Sequence, residues 1–221
     1  VNFRYPTDRQ RVTLIGKTGS GKTQAGIWQL SQRSFTSRPW VIFDFKLDDL
    51  LAKIPRKTEL QMKDKAPSKP GLYIAHPLPG PDHAEALEQF LWRIWAKGNT
   101  GIYIDEGYMV APRSPAFQAI LTQGRSKGIP VILLTQRPTW VTRFAFSEAD
   151  YIQLFQLTDR RDVKLVKEFM PMPIETTLPG PYYSWWWDNG RNFKAVLAPV
   201  PDREEILDAF YERSRPERRV I

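Results

Sequence analysis

Cysteine is absent from the 221 residues, which excludes disulfide frameworks and thiolate zinc sites and fits a reducing compartment. Histidine occurs only twice, at His76 and His83. Two are too few for a histidine metal cluster, and both read as ordinary loop or surface residues. No apolar run approaches the roughly 20 residues needed to cross a bilayer, and residues 1–10 lack a signal peptide's apolar stretch. A soluble protein without a transmembrane segment is expected. Internal repeats and low-complexity tracts are missing too, which argues against solenoid architectures.

What is present is ordinary globular material, 42% hydrophobic and 25% charged. The length suits one large domain with a buried core and is short for two. The expected organisation is a single domain over residues 1–221, with its core at about residues 10–200 and a C-terminal helix and basic tail over 201–221. Nineteen prolines mark loops and element ends. Lysine and arginine number 32 against 24 acids, a formal charge of +8. That excess favours polyanionic partners, or serves solubility alone.

Along the chain, short β-branched runs alternate with helix-like stretches. Residues 11–15 (RVTLI) lead through a glycine-rich turn into a helix over 22–32. Residues 40–45 (WVIFDF) predict a second strand, 53–70 a loop with a short helix, and 71–75 (GLYIA) a third strand. Residues 84–97 carry helical spacing through Leu87, Phe90, Leu91, Ile94 and Trp95, with Asp82 as the expected N-cap. Strands are predicted over 101–105, 131–135 and 151–156, with a helix over 114–127 between the first two. Residues 182–187 and 192–197 flank Asp188-Asn189-Gly190, a hairpin signal, and a last helix spans 203–212. Strand and helix alternation predicts parallel crossover units.

Gly16-Lys17-Thr18-Gly19-Ser20-Gly21-Lys22-Thr23 matches G-x-x-x-x-G-K-S/T in full, between a predicted strand and a predicted helix. Its glycines let consecutive N–H groups, and the positive end of the helix, face the phosphates of ATP. Lys22 adds a mobile positive charge, and Thr23 offers its hydroxyl to Mg²⁺. Ile102-Tyr103-Ile104 then ends in Asp105-Glu106. Parallel strands put these carboxylates at the sheet edge that carries the phosphate loop. Asp105 suits the outer sphere of the cation, binding it through water. Glu106 suits orientation of a water attacking the γ-phosphate. Two strands separate the loop from this pair, an order that favours a RecA-like, additional-strand α/β fold over the nucleotide kinases. The expected sheet is mostly parallel, flanked by helices, and ends in a β-hairpin.

The stretch from Gly124 to Pro138, GRSKGIPVILLTQRP, resembles the R-x-x-G-I-x-x-x-x-x-T-Q-R-P signature of the FtsK/HerA superfamily of DNA-pumping ATPases. The likeness runs from about Val12 to Tyr183. It implies that Gln136 touches the attacking water and the γ-phosphate, and that Arg125 enters a neighbouring subunit's ATP site, with Arg137 and Arg143 as alternatives. Asp44 and Lys46 in IFDFKLD are similar to the family's D-P-K element, with Phe45 in place of proline. Pro179-Gly180-Pro181-Tyr182 looks like its late glycine turn. A short chain without added domains looks most like the genome-packaging ATPases of tailless, membrane-containing double-stranded DNA viruses.

That resemblance implies a homo-oligomeric ring on double-stranded DNA, acting in the host cytoplasm or at a packaging vertex with capsid-vertex or membrane-associated viral partners. Phosphate contacts are expected from Arg113 and from Arg56, Lys57, Lys63 and Lys65, with solvated surface charge as the plainer reading. The Trp185-Trp186-Trp187 run either stacks on bases or packs inward, and packing is favoured. Arg213, Arg215, Arg218 and Arg219 form a basic end. Rival readings are a septal or conjugative translocase, a filamentous-phage assembly ATPase, a small-molecule kinase and a nucleotide-gated scaffold. Glu106 and Gln136 together argue against the last two.

Overall fold

The computed structural model describes residues 5–110 and 113–213. The strands are β1 (Val12–Ile15), β2 (Pro39–Phe43), β3 (Lys57–Leu60), β4 (Gly71–Ala75), β5 (Gly101–Ile104), β6 (Val131–Thr135), β7 (Tyr151–Leu154), β8 (Ser184–Asp188) and β9 (Phe193–Leu197). The helices are α1 (Lys22–Ser31), α2 (Asp49–Lys53), α3 (Pro81–Lys97), α4 (Pro115–Gln123), α5 (Phe144–Ser147), α6 (Arg160–Phe169) and α7 (Arg203–Arg213). One sheet of nine strands runs in the order β3-β4-β2-β5-β6-β1-β7-β8-β9. It is parallel from β3 to β7, and the β8–β9 hairpin adds antiparallel to β7. The expected architecture of a mostly parallel sheet with helices and a terminal hairpin is borne out.

Parallel strands covered on both faces bury side chains from both sides of the pleat, so they read as continuous apolar runs. In β2, Val41 and Phe43 meet α3 and α4 on one face, while Trp40 and Ile42 meet α1 and α2 on the other. Helix α3 earns its place through Leu87, Phe90, Leu91 and Ile94, a buried stripe at helical spacing. The ring of Phe90 meets Phe43 edge-on at 5.9 Å between centroids. Phe90→Ala should cost about 3–5 kcal/mol, seen as a lowered urea midpoint with an unchanged slope.

Several local expectations are corrected. The cap of α3 is Gly80, and Asp82 lies inside the first turn because Pro81 takes the opening helical position that its fixed φ suits. Helix α4 is capped by Ser114, whose hydroxyl accepts from the Phe117 N–H, and it stops at Gln123, followed by tight turns to Lys127. Residues 53–70 contain strand β3 as well as the end of a short helix. Helices α5 and α6 are additional elements, α6 being capped by Asp159, whose carboxylate accepts from the N–H groups of Arg161 and Asp162.

Among the described residues no helix is long and apolar enough to cross a membrane. The tryptophan run packs inward: Trp186 and Trp187 are buried, and Trp186 stacks on Tyr151 at 5.0 Å. Arg213 ends α7, and Arg215, Arg218 and Arg219 lie outside the described residues.

Candidate nucleotide-hydrolysis site

Strand β1 delivers Gly16 to the carboxyl edge of the sheet, where its N–H donates to the Thr135 carbonyl at 3.2 Å. A Cβ on Gly16 would stand 2.7 Å from the Phe155 Cβ, so only glycine fits there. Gly19 (φ 75°) and Gly21 (φ 88°) take left-handed backbone, and Gly21 is the N-cap of α1. The chain thereby curls so that the first turn of α1, with its unpaired N–H groups, opens toward the cleft. Lys17 and Thr18 are exposed at the rim, and Ser20 is buried.

Strand β5 lies two positions from β1, across β6, and sets Asp105 and Glu106 at the same edge. The Thr23 hydroxyl donates to Asp105 Oδ1 at 3.4 Å, and Lys22 Nζ stands 3.8 Å from Glu106 Oε1. Lys46 donates to the same glutamate oxygen. Both carboxylates are wholly buried, and one oxygen of each, Asp105 Oδ2 and Glu106 Oε2, has no hydrogen-bond partner among the described residues. Buried charge without full pairing is costly. Burial pushes the Asp105 carboxyl up against the pull of Lys22 and Lys46, and pushes the Lys22 ammonium down against Asp105 and Asp48. A cation and a phosphate chain would supply the missing partners to both.

Strand β6 brings Gln136 to this edge between the two groups. Its Oε1 accepts from the Thr18 hydroxyl at 2.5 Å, and its Nε2 donates to the Tyr108 hydroxyl at 3.0 Å. Tyr108 meets the exposed Trp140 ring edge-on at 5.9 Å. The structure therefore gathers the Gly16–Thr23 loop, Asp105, Glu106 and Gln136 in one cleft.

Arg125 lies elsewhere. It precedes β6 at the amino edge of the sheet, bonded to Asp150 at 2.5 Å with 68% of its side chain exposed. A strand of four to five residues spans about 15 Å, so Arg125 cannot reach its own phosphate loop. Arg137 is tied to Asp159 and Asp162, and Arg143 to Glu168. Of the DNA-contact candidates, Arg113, Arg56, Lys63 and Lys65 are exposed, whereas the Lys57 ammonium donates to the Ala52 and Ile54 carbonyls closing α2. His83 is exposed, and His76 lies 3.5 Å from the buried Asp44 carboxylate.

Three features escape a reading of motifs. Tyr108 lies two residues beyond Glu106, inside a turn with no motif of its own. Tyr182, in left-handed backbone (φ 64°), lays its ring over Gly21. A cleft of about 760 Å³ opens beside Gly19 and Ser20, lined by Phe155, Leu157, Ile174, Tyr182 and Trp185. The P-G-P-Y stretch was a visible signal for a turn there, without saying what the turn covers.

The chain resembles known proteins in sequence and in fold. The chain is 46% identical over 219 residues to the DNA packaging ATPase P9 of Enterobacteria phage PRD1, covering 95% of this chain and 96% of that protein. The chain belongs to the P9 family. No protein-family model matches it. Among solved structures, the genome packaging NTPase B204 of Sulfolobus turreted icosahedral virus 2, in complex with AMPPCP, superposes with a TM-score of 0.67 at 20% identity, over 88% of this chain and 100% of that one. The ATPase 2 and 3 portion of EssC from Geobacillus thermodenitrificans gives a TM-score of 0.65 at 13% identity, over 93% of this chain and 44% of that one. At these identities both likenesses show a shared fold.

Proposed function

We propose that this protein is an ATP-hydrolysing motor that drives double-stranded DNA into a viral capsid. The observation that carries the reading is the cleft uniting Lys22, Thr23, Asp105, Glu106 and Gln136 in a chain that matches a packaging ATPase along nearly its whole length.

In this reading the Gly16–Thr23 N–H groups and Lys22 hold the β- and γ-phosphates. Thr23 and Asp105 would hold Mg²⁺, which when bound neutralises charge on the phosphate oxygens, and the buried Asp105 Oδ2, without a partner among the described residues, fits that duty. Glu106 Oε2, in the same condition, accepts from the attacking water. Gln136 binds beside the γ-phosphate, and its bond to Tyr108 leads toward the exposed Trp140. Since the γ end faces β5 and β6, the nucleoside leaves the loop on the other side, over β7, into the cleft beneath Tyr182.

Arg125 serves the next subunit's site, so the working form is a ring with closed symmetry. Phosphate contacts from exposed loop cations such as Arg113, Lys63 and Lys65 would grip duplex of any sequence. The test is ATPase rate against added DNA. Several-fold stimulation by duplex is expected. Stimulation by single strands alone would instead support an exporter, and indifference to both a nucleotide-gated scaffold.

A further inference from the structure

Lys46 has no role in the reading above, although its ammonium sits on the residue assigned to the attacking water. Strands β2 and β5 are neighbours, with Val41 opposite Ile102 and Phe43 opposite Ile104. The Asp105 N–H donates to the Phe43 carbonyl at 3.2 Å. The chain therefore leaves both strands side by side, and Lys46 arrives next to Glu106.

The backbone beneath Lys46 is held fixed. Buried Asp44 accepts from the N–H groups of Lys46 and Asp48, each at 3.1 Å. Leu47 between them is in left-handed backbone (φ 56°), and Asp48 caps α2 by accepting from Leu50 and Leu51. The side chain, in contrast, is 44% exposed and ends on the wholly buried Glu106 at Oε1, the oxygen that Lys22 approaches at 3.8 Å. A fixed base and a flexible four-carbon stem allow the ammonium to change partner without moving the sheet.

A water held between Glu106 and a γ-phosphate makes hydrogen bonds of about 3 Å. A phosphate in that position lies within reach of the Lys46 ammonium and carries more negative charge than the carboxylate it would replace. A diphosphate ends one phosphoryl group short of it.

We propose that Lys46 is a γ-phosphate sensor: it holds Glu106 in the empty and ADP-bound site and passes its ammonium to the γ-phosphate when ATP binds. Glu106 is thereby freed to orient water only when there is a γ-phosphate to attack. The inference rests on the assignment of Glu106 to the water.

The test compares binding of Mg·ADP and of a non-hydrolysable ATP analogue to the full chain and to Lys46→Met. ADP affinity is expected to stay within about twofold, while the analogue weakens about tenfold, the scale of one charge-assisted hydrogen bond. The kcat should fall by at least as much, and Lys46→Arg should restore part of both. If the Met variant does not fold, Lys46→Gln carries the same expectation. Equal weakening of both nucleotides would reduce Lys46 to a structural role, and unchanged affinity for both would remove it from the site. The parent reading fails separately, if the unmodified chain binds neither nucleotide or Glu106→Gln hydrolyses ATP normally.

Discussion

Glu106→Gln is expected to bind ATP as the parent chain does while losing hydrolysis, with kcat lower by about 10²–10⁴. Glutamine keeps the volume and planarity of the side chain, so the buried slot at the end of β5 stays filled. What it loses is the negative charge that makes Oε2, buried and without a partner among the described residues, a strong acceptor for a water proton. Nucleotide binding draws mainly on other groups, the loop N–H groups and Lys22. Lys22→Ala should therefore give the opposite signature, with binding itself impaired. Filter-bound nucleotide and single-turnover hydrolysis, measured on both variants, separate the two effects. Normal turnover in Glu106→Gln would remove this residue from the water-orienting role and leave the site without a base.

Arg125→Ala should leave the nucleotide affinity of the isolated subunit nearly intact and reduce assembly-dependent ATPase by about 10³, the lower end of what a transition-state arginine supplies. The position of Arg125 motivates this. It stands at the amino edge of the sheet, mostly exposed, and its ion pair with Asp150 is its main restraint. Exposed pairs of this kind contribute at most about 1 kcal/mol, so the guanidinium is available to a neighbour's phosphates. Mixing Lys22→Ala subunits with Arg125→Ala subunits should restore activity, because some interfaces then join an intact loop to an intact arginine. A mixture as inactive as either variant alone would count against a shared site.

The two variants probe opposite edges of one sheet, and that separation gives hydrolysis its proposed dependence on assembly. A subunit carrying its own arginine beside its own loop would turn over ATP without engaging DNA or a neighbour. Here the parallel sheet puts loop, carboxylates and Gln136 at one edge and Arg125 at the other, with the strand length between them.

Much of this was legible before folding because its signals are local. The phosphate loop needs its glycines, lysine and threonine at fixed spacing within eight consecutive residues, and Asp105-Glu106 needs only an apolar run that ends. The central strands announce themselves as unbroken apolar runs, since both their faces are covered. The helix over Leu87, Phe90, Leu91 and Ile94 is equally plain. Helix α6 is a partial case: Asp159 and the stripe of Val163, Val166 and Met170 are local signals, yet the charges of RRDVKLVKEF hide them from a reading by apolar runs.

Other features depend on contacts between distant residues. Strand β3, KTEL, has almost no apolar character and exists because β4 offers a backbone ladder to pair with. Tyr182 reaches Gly21 only because β8 folds back along β7. Sequence alone determined the chemistry available to the protein: a triphosphate cradle, a carboxylate pair, a glutamine and an arginine in recognisable order. Tertiary structure alone decided who meets whom, placing Lys46 on Glu106, Gln136 between Thr18 and Tyr108, and Arg125 out of reach of its own site. The reason is that strand order in a sheet is set by how whole faces bury against helices, and no short stretch of residues carries that information.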